Sequence, residues 1–145
     1  MFDPSTNFLN VHEWAYGVTE IVHILSLTLA VGLIAVVDIR LLGYRVAGLS
    51  GARLHRETGL ASMIGLVLAV TSGFLIFSTD PVRYFEHPTM RAKIVGLVVA
   101  IAFNYTIHSR VAVGGYGAYV ERVVAVTSLA LWIGVTCGGI FYSFT

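Results

Sequence analysis

The sequence is poor in charge, in cysteine and in proline. Among its 145 residues there are 9 Lys and Arg, 8 Asp and Glu, one cysteine and three prolines. Soluble domains carry about a quarter charged residues, so the 12% found here is too little to solvate the surface of a globule of this size. The single cysteine, Cys137, excludes an internal disulfide and a multi-cysteine metal site. A formal net charge of +1 provides no basic stripe, so we expect no nucleic-acid partner.

Hydrophobic residues make up 57% of the chain and gather in four segments. A helix needs roughly 20 mostly apolar residues to cross a bilayer. The predicted spans are Ala15 to Val37, Gly59 to Ser78, Thr89 to Ile107 and Val123 to Phe144. Backbone polar groups in lipid must pair within the segment, so each span is expected to be helical. The expected fold is all-α integral membrane: one four-transmembrane-helix bundle in the lipid bilayer, a single domain over residues 1–145.

The basic residues predict an orientation. Three lie on the side where the chain begins, and six lie on the side reached after the first and third spans: Arg40, Arg45, Arg53, Arg56, Arg110 and Arg122. Short loops rich in Lys and Arg stay in the cytoplasm. We therefore expect both termini outside, in a multi-pass protein of a bacterial inner (plasma) membrane.

Small residues recur every fourth position in two spans. Gly65, Ala69 and Gly73 do so in the second span, and Gly134 and Gly138 form a GxxxG pair in the fourth. Small residues at this spacing let membrane helices approach closely. We expect both sets to pack within the bundle rather than to form a dedicated dimer interface.

Polar residues within the spans are the candidate functional residues, because an ionisable group at membrane depth is costly unless it is paired. Glu20 and His23 are three residues apart and share one helical face. Lys93 and Asn104 are about three turns apart and share a stripe, which His108 follows one turn later. This stripe is expected to face the bundle interior.

Depth separates the histidines into two groups. His23 is expected in the outer half, and His108 some 15 Å deeper on the cytoplasmic side, so the two should not ligate one ion. His55 and His108 are matched in depth and form a second candidate pair, although His108 is also expected near the interface. Asp38 and Arg40 are expected to neutralise each other at the end of the first helix.

Structural explanations remain open for the outer residues. His23 beside Glu20 is also consistent with a neutral, hydrogen-bonded pair without a ligand. Lys93, near a helix end, is equally able to extend its ammonium to the headgroups.

The segment from Glu13 to Gly43 resembles a family of small, uncharacterised bacterial four-helix membrane proteins. In that family a Trp precedes a first-span His, and the span ends in an Asp-hydrophobic-Arg-Leu-Leu-Gly motif. The matching residues are Trp14, His23, Asp38, Arg40, Leu41, Leu42 and Gly43. The third span is also similar, with His87-Pro88 followed by Lys93, Asn104 and His108. The resemblance extends over nearly the whole chain and implies a topology rather than an activity.

The layout is similar to two further groups. HemJ-type protoporphyrinogen oxidases bind b-type haem through a first-helix His and a later Lys, which this resemblance places at His23 and Lys93. The membrane domain of CopD-type copper-resistance proteins is also similar, but its metal-binding loops are absent. Gly138-Gly139 stands where the nearest relatives have an Arg-rich ending.

Three functional hypotheses follow. The first is a b-type haem-binding electron-transfer or accessory subunit of a larger membrane redox complex. In it His23 ligates the iron, Lys93 is the second ligand or a propionate partner, and Glu20 orients the site. Asn104, His108 and His55 complete the candidate cofactor-binding residues. The alternatives are a cofactor-free structural or assembly subunit that packs against partner spans, and a HemJ-like porphyrinogen oxidase. A transporter is disfavoured, because the polar cluster does not extend across both leaflets.

Overall fold

The computed structural model describes the backbone of residues 6–142 and the side chains of residues 6–139, and most of this part of the chain is helical. The six helices in this part are α1 (Phe8–Val11), α2 (Glu13–Leu41), α3 (Gly51–Phe77), α4 (Pro81–Glu86), α5 (Pro88–Gly114) and α6 (Ala118–Tyr142). Helix α5 has a π-helical turn over Asn104–His108. Helices α2, α3, α5 and α6 are long and apolar enough to cross a membrane, which confirms the four predicted helical segments.

All four of these helices extend beyond the predicted spans at the Arg-rich end of the bundle, where α2 and α5 end and α3 and α6 begin, and α3 and α5 extend the furthest. Helix α3 begins at Gly51, about two turns before Gly59. Its first turn is capped by Ser50, whose side chain accepts a hydrogen bond from the backbone N–H of Arg53. Helix α5 continues past the predicted limit to Gly114. The predicted end of the fourth span, Phe144, lies outside the described residues.

The long helices pack in the order α3, α2, α6, α5. Helix α2 packs along α3 and also against α6, and α6 packs along α5. Helices α3 and α5 approach each other through the last part of α5, Ser109–Gly114. Contact between α3 and α5 is therefore concentrated at the Arg-rich end, where it closes the bundle.

Gly65 sets the close approach of α2 and α3. A Cβ atom at Gly65 would lie 3.0 Å from the backbone oxygen of Ser26 and 3.3 Å from the Cβ of Ala30. Ala69 is buried one turn later, and a Cβ at Gly73 would lie 2.9 Å from the His23 ring. The predicted packing role of this small-residue series is confirmed.

The GxxxG pair in α6 does not behave as predicted. Gly138 packs against the side chain of Lys93, whereas Gly134 is exposed and no atom lies within 4 Å of where its Cβ would be. The two glycines are one turn apart, but the partner helix α5 crosses α6 at Gly138 and leaves Gly134 outside the contact. Their expected joint role in packing within the bundle is wrong for Gly134.

Two apolar clusters form the core. The central cluster contains Ala30, Ile34, Leu66, Ala100, Trp132 and Val135. The second lies at the Arg-rich end and contains Val37, Leu41, Leu54, Ala112 and Ala125. Ala100 and Asn104 are both buried, so this part of the α5 stripe faces the interior as predicted.

Candidate functional site

His23 is held against α3 through one ring nitrogen. Its Nδ1 lies 2.8 Å from the backbone oxygen of Ala69 and 3.2 Å from Ser72 Oγ. The Ser72 hydroxyl donates to the Leu68 carbonyl of its own helix, at 2.6 Å. Because a carbonyl can only accept, Nδ1 carries the proton and Nε2 keeps its lone pair. Nε2 has no hydrogen-bond partner among the described residues, so His23 presents a free, oriented nitrogen.

Glu20 and Lys93 lie around His23 without bonding to it. Both are close enough for their charges to act on the imidazole. Glu20 is exposed, so the expected hydrogen-bonded pair with His23 does not form. Lys93 is half-buried, and its ammonium lies against α6, where a Cβ at Gly139 would be 2.9 Å from Nζ. The structure thus brings the three outer candidates to one region, and the absence of a side chain at Gly139 makes room for the ammonium.

A second polar cluster lies near the Arg-rich end and joins three helices. Asp38 of α2 accepts a hydrogen bond from His108 Nε2 of α5 at 2.7 Å through Oδ1. Its Oδ2 accepts a hydrogen bond from Ser128 Oγ of α6 at 2.8 Å. These three residues, the Asp38 cluster, are each 1% exposed or less. Both carboxylate oxygens are therefore paired although the group is fully removed from solvent.

The expected pairing of Asp38 with Arg40 is wrong. Residues two apart on a helix point in different directions, so their side chains do not meet. Arg40 Nε instead donates to the backbone oxygen of Leu49 in the connection between α2 and α3, at 2.9 Å. Asp38 points inward and Arg40 holds the loop.

His108 faces the bundle interior, as predicted for its stripe, and its side chain is 1% exposed. Its expected depth near the interface stays a prediction. His108 ends the π-helical turn that Asn104 begins. A π-helical turn holds an additional residue per turn and shifts the direction of the side chains that follow, and such turns are frequent at functional sites. Within this turn Asn104 Oδ1 and His108 Nδ1 are buried and have no hydrogen-bond partner in the part of the chain that the structure describes.

A cavity of about 210 Å³ is lined by the two residues that carry these unpaired atoms. Asn104 and His108 line it from α5 and His55 lines it from α3. The rings of His55 and His108 are 6.2 Å apart between centroids and meet edge to face. The structure therefore confirms that His55 and His108 lie together, and the remaining lining includes Thr58, Ser62 and Tyr105.

The two polar regions are separate. His23 and Asp38 are both in α2, 15 residues apart, which is about 22 Å along a helix. His108 lies at the level of Asp38, so His23 and His108 cannot share one ion, as predicted.

Sequence reasoning overlooked Ser128 and the inward role of Asp38. One signal was present: Asp38 directly follows the predicted end of the first span at Val37, as His108 follows the predicted end of the third at Ile107. Two polar residues at matched depth, each at the same end of an apolar span, are candidates for a pair. Ser128 carries no such signal, because serine is common at helix contacts in membranes.

Comparisons of the chain with protein-family models, with curated proteins and with solved structures found no significant match. The resemblance described from the sequence therefore remains a prediction, and function has to be inferred from the residues of the two polar regions.

Proposed function

We propose that this protein is a small membrane subunit that binds b-type haem through His23 and serves electron transfer in a larger redox complex. The observation that carries the proposal is the 2.8 Å contact between His23 Nδ1 and the Ala69 backbone oxygen, which leaves Nε2 free. Histidines that ligate a metal commonly donate their other ring N–H to a backbone carbonyl or a carboxylate. That second contact fixes the tautomer and the orientation of the ring.

The surroundings of His23 suit an iron ligand. Gly73 has no side chain, so the imidazole lies directly against α3, where a Cβ would be only 2.9 Å from its Cε1. Contact with both the Ala69 carbonyl and Gly73 restricts rotation of the His23 ring. The ring is half-buried, which leaves one side available to a planar group.

Lys93 and Glu20 have complementary roles in this proposal. The ammonium of Lys93 is close enough for its charge to act on the imidazole, but it does not contact the ring. It is therefore suited to pair with a haem propionate or to take the second axial position. Glu20, one turn before His23 and exposed, contributes a negative charge at the outer edge of the proposed site. When bound, haem supplies a one-electron iron couple whose potential depends on the axial ligand and on burial.

The position of His23 favours a subunit rather than an independent cytochrome. His23 does not line the 210 Å³ cavity, nor an open cavity of about 510 Å³ beside α1 that Phe8, Trp14 and Leu75 help to line. Ligand sites generally enclose most of the ligand surface. The exposed side of His23 is therefore proposed to be completed by a partner membrane subunit.

The proposed location is the bacterial inner membrane, with both termini outside and the Arg-rich end in the cytoplasm. The excess of arginine at that end supports this orientation. Fusing green fluorescent protein to the C-terminus tests it, since that protein does not fluoresce after export in unfolded form. We expect a dark fusion and an active alkaline phosphatase fusion; the reverse result would contradict the orientation.

The haem proposal is tested by the visible spectrum of the chain purified in mild detergent, together with the membrane subunits that copurify with it, from haem-replete cells. We expect a Soret band and reduced α and β bands, lost in His23→Gln and retained in His12→Gln. His12 is a matched control, because it is exposed at the start of α2 and makes no capping hydrogen bond. A wild-type protein without a Soret band would favour the cofactor-free structural subunit instead.

A further inference from the structure

The Asp38 cluster and its cavity are not used by the proposed haem site, which lies about 22 Å away along α2. We propose that His55, His108 and Asn104 form a binding site for a divalent transition-metal ion of the zinc class, with Asp38 and Ser128 positioning His108. The inference is independent of the proposed haem function, because it concerns different residues.

Two buried side-chain atoms of this site, Asn104 Oδ1 and His108 Nδ1, are unpaired among the described residues. When His108 is neutral, the Nε2–H that Asp38 accepts leaves a lone pair on His108 Nδ1, and Asn104 contributes a carbonyl oxygen. Both atoms are then acceptors, both are buried, and neither has a hydrogen-bond partner among the described residues. Burying a polar group without a partner costs about 1–3 kcal/mol, so each unpaired group requires an explanation. Two unpaired acceptors beside one cavity call for a donor or a cation.

The buried charge of Asp38 also favours a cation. The Asp38 carboxylate is fully buried, and its partners are the His108 imidazole, which balances the charge only when it is protonated, and the Ser128 hydroxyl. The nearest arginine on α2, Arg40, is engaged with Leu49. No Lys or Arg is among the described residues that line the cavity. A buried charge is stable only when it is compensated, and a cation in the adjacent cavity provides the compensation.

The ligand types indicate the class of cation. Imidazole nitrogen favours zinc, copper, iron and nickel, whereas calcium and magnesium prefer sets of oxygen ligands. The arrangement of Asp38, His108 and the cavity matches the carboxylate–histidine–metal triad, in which the carboxylate accepts the second ring N–H of the ligating histidine. Ser128 in turn holds the carboxylate.

The distances allow two imidazoles to reach one ion. With Zn–N bonds of about 2.0–2.1 Å, two rings at the tetrahedral angle have centroids about 5 Å apart. The observed separation is 6.2 Å, so His55 has to move by about 1 Å. His55 is half-buried in the first turns of α3 and is free to make this adjustment. Asn104 and a water molecule would complete four ligands, and about 210 Å³ accommodates them.

His55 also provides the access route. It is four residues after Gly51, so it lies about 6 Å from the Arg-rich end of α3. Because His55 is half-buried whereas His108 is only 1% exposed, an ion arriving from that end is proposed to meet His55 first.

The test is calorimetric titration of Zn²⁺ into the full-length chain, purified in detergent without a polyhistidine tag, with Co²⁺ spectra as a second readout of coordination. We expect one Zn²⁺ per chain and a loss of affinity of at least tenfold in His108→Gln and in His55→Gln. His12→Gln should bind like the wild type. Helical content and thermal unfolding of each variant establish that it is folded.

Ser128→Ala distinguishes a positioning role from a ligating one. Loss of an outer partner in metal sites typically lowers affinity about 10–100-fold, so we expect Ser128→Ala to weaken Zn²⁺ binding while the Co²⁺ spectrum keeps its ligand set. The proposal is overturned if the wild type binds no Zn²⁺, which would make the cavity a water site. It is also overturned if binding persists unchanged in both His55→Gln and His108→Gln.

Discussion

Replacing Asp38 should reveal how strongly the Asp38 cluster holds α2, α5 and α6 together. Asp38→Leu removes both acceptors and leaves His108 Nε2 unpaired in a fully buried place. Removing one partner of a buried, charge-assisted pair costs about 3–5 kcal/mol. Polar contacts between membrane helices average about 0.6 kcal/mol and reach about 1.7. Because His108 has no alternative partner among the described residues, we expect Asp38→Leu to cost about 3 kcal/mol, above the membrane average and at the lower end of the range for buried charge-assisted pairs.

Two other substitutions separate charge from hydrogen bonding. Asp38→Asn keeps an acceptor for His108 and offers Ser128 a donor, so it should cost only about 1–2 kcal/mol. Ser128→Ala should cost about 1 kcal/mol, and close to nothing once Asp38 is leucine, because the shared bond has already been lost. Ser109→Ala is the matched control, since its hydroxyl donates only to Tyr105 of its own helix.

The assay is equilibrium unfolding in mixed micelles, followed by circular dichroism as the fraction of sodium dodecyl sulfate rises. The free energy of unfolding of each variant is compared with that of the wild type. Asp38→Leu that costs less than about 1 kcal/mol, or no more than Ser109→Ala, would refute the reasoning. So would full additivity of Asp38→Leu and Ser128→Ala, since residues in contact should couple.

Three glycine substitutions test the packing and its link to His23. Gly65→Val should destabilise the bundle by about 1–3 kcal/mol in the same assay, because its Cβ would be 3.0 Å from the rigid Ser26 carbonyl; wild-type stability would contradict this close contact. Gly73→Ala should displace the His23 ring and lower the Soret absorbance per chain, and unchanged absorbance would argue against the proposed orientation. Gly134→Ala should leave stability unchanged or raise it by up to about 1 kcal/mol, because its Cβ meets open space and alanine favours helix; a loss would indicate a contact not seen within the chain.

The helices were predictable from the sequence, and the pairing of their polar residues was only partly so. Hydropathy is a local property, so four apolar segments predict four helices without knowledge of their arrangement. The helix ends were harder to predict, because the charged first turns of α3 are helical through the Ser50 cap rather than through apolar content. A π-helical turn leaves no clear sign in composition. His108 follows the stripe that was predicted to face the interior, but its hydrogen bond to Asp38 could not be foreseen.

The candidate residues divide in the same way. Placing His23 and Lys93 in one region required only depth along each helix, and the structure agrees. Pairing Asp38 with His108 required the rotation of two helices about their axes. Periodicity within one helix does not supply that rotation, so proximity in sequence to Arg40 was misleading.

Axial ligation by His23 is tested most directly by chemical rescue. His23→Gly removes the imidazole and leaves space for a free imidazole molecule against α3. We expect purified His23→Gly to lack the wild-type Soret band, and we expect the band to return when haem and imidazole are supplied together, rising to saturation as the imidazole concentration increases. A His23→Gly protein whose spectrum matches the wild type without imidazole would contradict the proposed ligand.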